Sequence, residues 1–243
     1  MTASDSLLDL RDVDLTLDGR AVLRDVTLRT DARRIAVLGR NGSGKTTLAR
    51  VIAGLQRPDG GQVAIAGIDV GRDRRGALAA VGILFQNSDH QIIFPTVSEE
   101  LAFGLMQMGQ DRATAARGVD AILARFGKTA WRDAPVQSLS GGQKQLVCLM
   151  AILAMQPRLI VLDEPFAGLD IPTAMQLRRV LDRIDVALVQ ITHDPASVTG
   201  YDHALWLDSG RIVQQGAAGE VAQAFRARME ELGASDDLTD VAG

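Results

Sequence analysis

The fold of this chain is decided by the stretch Gly39-Arg40-Asn41-Gly42-Ser43-Gly44-Lys45-Thr46. It follows a short apolar run, residues 35–38, and leads into residues 46–55, whose apolar positions have helical spacing. A glycine-rich turn between a strand and a helix lets backbone N–H groups surround a phosphate, and the helix start adds positive potential. Lys45 would bond the β- and γ-phosphates and Thr46 would ligate Mg²⁺. The alternative is a glycine-rich turn with a surface lysine, and the flanking strand and helix argue against it.

Two carboxylates follow another apolar run. Residues 159–162 are all apolar, and Asp163-Glu164 comes directly after them. Open α/β sheets bind ligands at the carboxyl ends of their strands, so these side chains suit the second half of a nucleotide site. Asp163 would hold Mg²⁺ through water, and Glu164 would accept a proton from, or orient, the water that attacks the γ-phosphate. A strand that simply meets solvent has the same pattern, so this prediction depends on the phosphate-binding stretch.

A second glycine-rich helix start is Leu139-Ser140-Gly141-Gly142-Gln143. Serine is a good N-cap, and the two glycines let backbone N–H groups approach an anion closely. Because one phosphate-binding stretch is already assigned, this segment predicts a second phosphate contact. A capped helix with a flexible entry is the alternative.

The remaining pattern predicts an α/β protein. Residues 7–38 alternate in pieces typical of antiparallel strands, with a turn at Gly19, and residues 89–157 are mostly helix-forming, with an amphipathic helix over 112–126. Continuous apolar runs at 159–162 and 186–189 indicate buried parallel strands. One charged helix is expected after Ala217, before an acidic tail at 236–240. The predicted divisions are a β subdomain with the first part of the core (1–88), a helical subdomain (89–157), the second part of the core (158–225), and a helix end with the acidic tail (226–243).

Composition excludes several classes of protein. The 243 residues are 47% hydrophobic and 23% charged, which is ordinary for a globular protein, and the net charge of −4 argues against a nucleic-acid partner. The single cysteine, Cys148, cannot form an internal disulfide and is expected to pack in the core. The longest apolar run, ten residues from Leu146 to Met155, is half of the roughly 20 that cross a bilayer, and no secretory leader is recognisable. We therefore expect any membrane role to come from a membrane-spanning partner.

In order and spacing, these motifs resemble the ATP-binding subunits of ABC transporters over about residues 7–215. The resemblance implies an α/β P-loop NTPase core with an antiparallel β subdomain and a helical subdomain. It also implies a head-to-tail dimer that encloses two ATP molecules, each between the phosphate-binding stretch of one subunit and residues 140–142 of the other. Gln86 would sense Mg²⁺ and the membrane partner, Asp170 would reach across the dimer, and His193 would fix the γ-phosphate and the attacking water. The implied residues are, for catalysis, Glu164, His193 and Gln86; for Mg²⁺, Thr46, Gln86 and Asp163; and for ATP, Gly39, Arg40, Asn41, Gly42, Ser43, Gly44, Lys45, Thr46, Thr47, Ser140, Gly141, Gly142, Gln143 and Asp170.

A finer resemblance, to the ATPases of energy-coupling factor (ECF) transporters, lies in residues 85–91, 96–104 and 153–157. It implies a peripheral protein at the cytoplasmic face of the membrane that powers uptake of a vitamin, with biotin the first candidate, or of a transition-metal ion. The implied partners are a membrane coupling subunit, a substrate-binding membrane subunit and a second ATPase copy, with a homodimer favoured. A soluble ABC ATPase of a cytosolic assembly, such as iron–sulfur cluster biogenesis, is the alternative. Ser88 and Leu146 replace a proline and an arginine common in such proteins, and neither change touches the phosphate chemistry.

Several positions stay open on the residues alone. Taken singly, Gln86 and His193 are also compatible with a loop glutamine and a strand-end histidine, and Asp194 either orients the His193 ring or caps the next helix. Residues 1–84 contain no Phe, Tyr or Trp, so the adenine lacks the early aromatic contact common in the family, and Leu17 is the candidate replacement. The apolar residues after Gln86 either pack the helical lobe or form a groove for a helix of the membrane partner: Ile92, Ile93, Phe94, Leu101, Phe103, Leu105 and Met106.

Overall fold

The computed structural model describes residues 6–234, so the acidic tail predicted at residues 236–240 lies outside the described part. The chain forms two compact units: the first contains the residues up to Ala77 and those from Ala187 onward, and the second is Leu78–Val186. The elements are, in chain order, β1 (Leu8–Leu17), β2 (Arg20–Thr30), β3 (Arg34–Leu38), α1 (Lys45–Ile52), β4 (Gly60–Ile65), β5 (Ile68–Asp69), α2 (Arg74–Ala80), β6 (Val81–Leu84), α3 (Val97–Gln107), α4 (Arg112–Arg125), α5 (Gly141–Ala154), β7 (Leu159–Asp163), α6 (Ile171–Arg183), β8 (Ala187–Thr192), β9 (His203–Asp208), β10 (Arg211–Ala217) and α7 (Ala218–Gly233).

The first unit begins with an antiparallel sheet in the order β2-β1-β4-β5. Strands β1 and β2 pair from Leu8 opposite Thr30 to Leu17 opposite Arg20, and Gly19 makes the turn between them with a φ of +76°. The predicted antiparallel pairing is thus confirmed for these two strands. It is wrong for β3, which pairs in parallel with β8 on one side and β9 on the other. The reason is burial on both faces, which favours a continuous apolar strand inside a parallel sheet.

Helix α1 ends earlier than its apolar spacing suggests. The sequence pattern extends to Leu55, whereas the helix stops at Ile52 with Ala53 as its C-cap. Gly54 follows in the left-handed region at φ +69°, which breaks the helical path and is typical of a glycine that ends a helix. As a result Leu55 is 59% exposed instead of continuing the buried face of the helix.

The core of the first unit includes the C-terminal helix. Helix α7, the charged helix expected after Ala217, buries Ala218, Val221 and Phe225 against Ala36 and Leu38 of β3. The ring of Phe225 meets that of Trp206 edge-on, with the ring centroids 5.7 Å apart. This helix therefore covers the strand that leads into the glycine-rich stretch at residue 39.

The second unit combines two parallel strands with helices. Strands β6 and β7 pair from Val81 opposite Leu159 to Leu84 opposite Leu162, and all five residues of β7 are buried. The amphipathic helix predicted at residues 112–126 is confirmed as α4, and the buried parallel strands predicted at 159–162 and 186–189 are found as β7 and β8. Cys148 lies in the core, where burial raises the pKa of its thiol to about 12. Among residues 6–234, no helix combines the length and apolar character needed to cross a bilayer.

Candidate nucleotide-binding site

The glycine-rich stretch, residues 39–46, is hereafter called the phosphate loop. It joins the buried strand β3 to α1, and it is closed by hydrogen bonds to its own backbone. The carbonyl oxygen of Arg40 accepts from Lys45 Nζ at 2.7 Å and from the Ser43 N–H at 3.2 Å. Lys45 is only 6% exposed, so its ammonium group is held inside the turn by the loop itself. A cation fixed in this way is ready to meet an anion without first being ordered.

Two glycines of the phosphate loop cannot be replaced without a clash. A Cβ atom at Gly39 would overlap the Leu207 carbonyl oxygen, and one at Gly44 would lie 2.8 Å from the Val22 carbonyl oxygen. Gly44 also has a φ of +99°, in the left-handed region that favours glycine. The loop is therefore packed tightly against β2 and β9, and Gly44 has no side chain with which to cap α1.

A buried hydroxyl in the phosphate loop has no partner among residues 6–234. Ser43 is 4% exposed, and its Oγ atom lacks a hydrogen bond there. Buried polar groups are nearly always hydrogen-bonded, so an orphaned hydroxyl at a helix start points to a missing ligand. Oxygens of a phosphate group supply acceptors for the hydroxyl and carry the negative charge that a helix N-terminus prefers.

His193 follows the strand next to the phosphate loop. Strands β3 and β8 are parallel, and Leu38 lies opposite Thr192, so the loop and His193 leave the same edge of the first unit side by side. The Asp194 carboxylate accepts from the Ala196 N–H at 2.9 Å and caps the short 3₁₀ helix at Pro195–Val198. Of the two functions considered for Asp194, the structure thus contains the capping one.

The second unit brings Gln86 close in the fold to Asp163 and Glu164. Leu84 of β6 lies opposite Leu162 of β7 in a parallel pair, so the residues that follow the two strands leave the same edge. Asp163 is 4% exposed. Glu164 has a φ of +49°, which is uncommon for a residue with a side chain.

The second helix start, residues 139–143, is hereafter called the signature segment. Ser140 caps α5: its Oγ accepts from the Gln143 N–H at 3.3 Å, and its own N–H donates to Gln143 Oε1 at 2.8 Å. A Cβ atom at Gly142 would overlap the Thr173 methyl group, so the segment packs closely on the start of α6. A cleft of about 370 Å³ opens beside it, with walls that include Trp131, Leu146 and Leu177.

Asp170 lies beside the signature segment because it caps α6. Its carboxylate accepts from the Thr173 N–H at 2.8 Å. The side-chain and backbone hydrogen bonds from Thr173 hold the pKa of Asp170 below its usual value. Asp170 is thus ionised and oriented at the same surface as Ser140, through the contact between Thr173 and Gly142.

Sequence reasoning missed three polar side chains behind these residues. Gln145 and Glu100 are buried, at 3% and 7% exposure, and Gln91 is half-buried. Gln145 and Gln91 bond the backbone at Phe85, and Glu100 accepts from the N–H groups of Ile93 and Phe94. The available signal was the helical spacing, because Gln145 shares the face of α5 that buries Cys148 and Leu149.

The apolar residues after Gln86 differ in burial, and Ile92, Phe94 and Phe103 are half-buried. Leu101 and Leu105 are buried in the second unit, so for them the packing alternative is confirmed. Ile93 and Met106 are 69% and 42% exposed.

In the first unit, Leu17 ends β1 and is 36% exposed, so an aliphatic side chain is accessible there.

The family model for the ABC transporter family matches residues 23–167, and the chain belongs to that family. It is 48% identical to the biotin transport ATP-binding protein BioM of Rhodobacter capsulatus, over 93% of this chain and 96% of that protein. It is 36% identical to the energy-coupling factor transporter ATP-binding protein EcfA of Methanocaldococcus jannaschii, over 84% of this chain and 76% of that one. The structure of cbiO1 from Clostridium perfringens, part of the ABC transporter complex cbiONQ, superimposes with a TM-score of 0.76 at 28% identity, covering 94% of this chain and 95% of that chain. The resemblance to ECF-type ATP-binding subunits and the fold class are thereby confirmed.

Proposed function

We propose that this chain hydrolyses ATP as the ATP-binding subunit of an ECF-type importer, and that biotin is the imported substrate. The observation that carries the proposal is the phosphate loop, with its internally held Lys45 and the orphaned hydroxyl of Ser43. The substrate is supported by the 48% identity to a biotin transport ATP-binding protein along nearly the whole length of both chains.

In this proposal the phosphate loop and Thr47 bind the phosphates of ATP. Lys45 neutralises the β- and γ-phosphates, and the N–H groups at the start of α1 donate to their oxygens. Mg²⁺, when bound, neutralises further phosphate charge, and its proposed ligands are Thr46, Gln86 and Asp163. These are the hard oxygen donors that Mg²⁺ prefers. Residues 6–234 contain no cluster of three or more His, Cys, Asp or Glu side chains that could hold a metal alone, which fits an ion bound together with a substrate phosphate.

Glu164 is the proposed general base. A carboxylate at a carboxyl strand end can take a proton from the attacking water. His193 is proposed to hold the γ-phosphate and that water from its position beside the phosphate loop. Gln86, which follows the strand next to the one that Glu164 follows, is proposed to sense Mg²⁺ and the membrane partner.

Two copies are proposed to share each ATP. The signature segment and Asp170 form one surface of the second unit, and they would complete the phosphate loop of the other copy. The first N–H groups of α5 then reach a γ-phosphate across the dimer, so Ser140, Gly141, Gly142 and Gln143 act in trans.

The proposed location is the cytoplasmic face of the membrane, in contact with a membrane coupling subunit and a substrate-binding membrane subunit. The exposed side chains of Ile93 and Met106 support this, because exposed apolar residues of this size suit a docked helix.

Uptake of labelled biotin by cells tests the proposal. Cells that lack the gene should take up little biotin, the wild-type gene should restore uptake, and Lys45→Ala, expressed to the same level, should not. Normal uptake without the gene would refute biotin as the substrate, and restoration by the Lys45→Ala variant would refute the proposed need for ATP at the phosphate loop.

A further inference from the structure

Phe85, the residue before Gln86, has both backbone groups held by side chains. It lies just beyond the end of β6, where the strand pairing stops. Its N–H donates to Gln91 Oε1 at 3.1 Å, and its carbonyl oxygen accepts from Gln145 Nε2 at 3.1 Å. The carbonyl oxygen of Phe85 belongs to the same peptide unit as the N–H of Gln86, so the position of Gln86 is set by these contacts.

Gln145 is the buried member of this arrangement. It is 3% exposed and lies on α5, two residues after the end of the signature segment. A buried amide that loses its partner carries the full cost of its desolvation, so the bond to Phe85 is not readily exchanged. Gln91 also donates to the Ile83 carbonyl oxygen at 3.2 Å, which folds the segment back onto the end of β6.

A second bond joins the same helix to the same segment at the surface. Lys144 Nζ lies 2.7 Å from the Asp89 carboxylate; the Asp89 side chain is 65% exposed and the Lys144 side chain 20%. An ion pair whose carboxylate is open to solvent contributes little, because water and salt screen it. Of these two polar links between the helix and the segment around Gln86, the buried Gln145 amide is therefore the stronger, and Lys144 provides a matched comparison one residue away.

We propose that Gln145 is a positioning residue that couples Gln86 to the signature segment. Gln145 is five positions after Ser140, the N-cap of α5, about 7.5 Å along one continuous helix, so the two move together. A shift of Gln86 when the γ-phosphate arrives is carried through the Phe85 carbonyl group to α5 and hence to Ser140. This inference rests on the proposed ATPase function and adds to it a residue that touches neither ATP nor the attacking water.

The experiment is a double-mutant cycle on ATP hydrolysis by the purified full chain. Gln145→Leu should lower kcat about tenfold while the KM for ATP changes less than about twofold, because the phosphate loop is intact. The double variant Gln86→Ala with Gln145→Leu should be no slower than Gln86→Ala alone, since Gln145 acts through Gln86. Lys144→Ala should keep kcat within about twofold of wild type.

Three results would overturn the coupling proposal while wild-type hydrolysis is normal: an unchanged kcat in Gln145→Leu, effects that multiply in the double variant, or a Lys144→Ala defect equal to that of Gln145→Leu. If Gln145→Leu does not fold, Gln145→Asn makes the same test, because it keeps the amide and withdraws it by one methylene group. A wild-type protein without ATP hydrolysis would refute the proposed function, and the coupling proposal with it.

Discussion

The starts of α1 and α5 are both glycine-rich and both proposed to contact phosphate, but they are built differently. Helix α1 follows Gly44, which has no side chain to cap the helix, and the hydroxyl of the preceding Ser43 is buried without a partner in the described chain. Helix α5 follows Ser140, which forms a complete capping box with Gln143. The start of α1 therefore lacks hydrogen bonds that a ligand can supply, whereas the start of α5 already forms hydrogen bonds with its own side chains.

This difference indicates that the two helix starts contribute to ATP binding at different stages. A bound anion stabilises a site with unpaired polar groups and a fixed cation most strongly, because the anion supplies the missing hydrogen bonds. A capped helix start is stable alone, and it gains from an anion only when one is presented to it. We therefore expect the phosphate loop to bind ATP in a single subunit, and the signature segment to contribute only after two subunits meet.

The largest expected effect is a loss of ATP hydrolysis without a loss of ATP binding at the two helix starts. Glu164→Gln should lower ATP turnover by about 10²- to 10⁴-fold, because the amide keeps the shape of the side chain but cannot accept a proton. Binding should persist, and the variant should accumulate as an ATP-bound dimer in size-exclusion runs with Mg-ATP but not with EDTA. Glu231→Gln, an exposed change on α7, is the control. Near-normal turnover in Glu164→Gln would remove Glu164 from the catalytic role.

The next effect compares the two helix starts directly. Lys45→Ala should weaken ATP binding to dilute, monomeric protein by about 10- to 100-fold, the usual effect of losing hydrogen bonds to a charged group. Ser140→Ala should change that affinity by less than about twofold, because its contact is made only across the dimer. Titration with a fluorescent ATP analogue measures both. Equal losses of ATP affinity in the two variants would contradict the proposal that only the phosphate loop binds ATP in a single subunit.

The fold was largely predictable where one residue pattern dominates. The apolar runs that became β7 and β8 and the amphipathic helix α4 were predicted because burial dictates their side chains at every position or every turn. The end of α1 and the pairing of β3 were not, because a single glycine conformation decides the first and long-range pairing decides the second. The predicted domain divisions remain predictions.

The sequence predicted the candidate site as a list of residues, which remain predictions, but not the contacts those residues make. Spacing singled out the phosphate loop and the signature segment, because their glycine, lysine and serine residues match patterns typical of phosphate binding. It could not locate the link from Gln145 to Phe85, which joins residues 60 apart in sequence. Nor could it divide the apolar residues after Gln86 into the buried Leu101 and the exposed Ile93, since both are aliphatic.

The smallest expected effect on ATP hydrolysis comes from a change at the exposed side chain of Ile93. Ile93→Glu should abolish co-sedimentation with membranes and transport while changing ATP hydrolysis in solution by less than about twofold, since it alters only a surface residue. Val213→Glu is the matched control, because Val213 is 54% exposed and lies on β10 of the first unit. Unfolding of the Ile93→Glu variant, or its normal assembly with membranes, would show that this surface is assigned wrongly.

The central claim is that the α1 start of one subunit and the α5 start of the other share a site. Its most direct test is ATP hydrolysis by a mixture of two variants. Lys45→Ala and Ser140→Arg should each be inactive as homodimers. In an equal mixture half of the dimers are mixed, and each mixed dimer has one intact composite site, so about a quarter of wild-type hydrolysis should return if the two sites act independently. A mixture that hydrolyses ATP no faster than either parent, although mixed dimers form, would contradict the account.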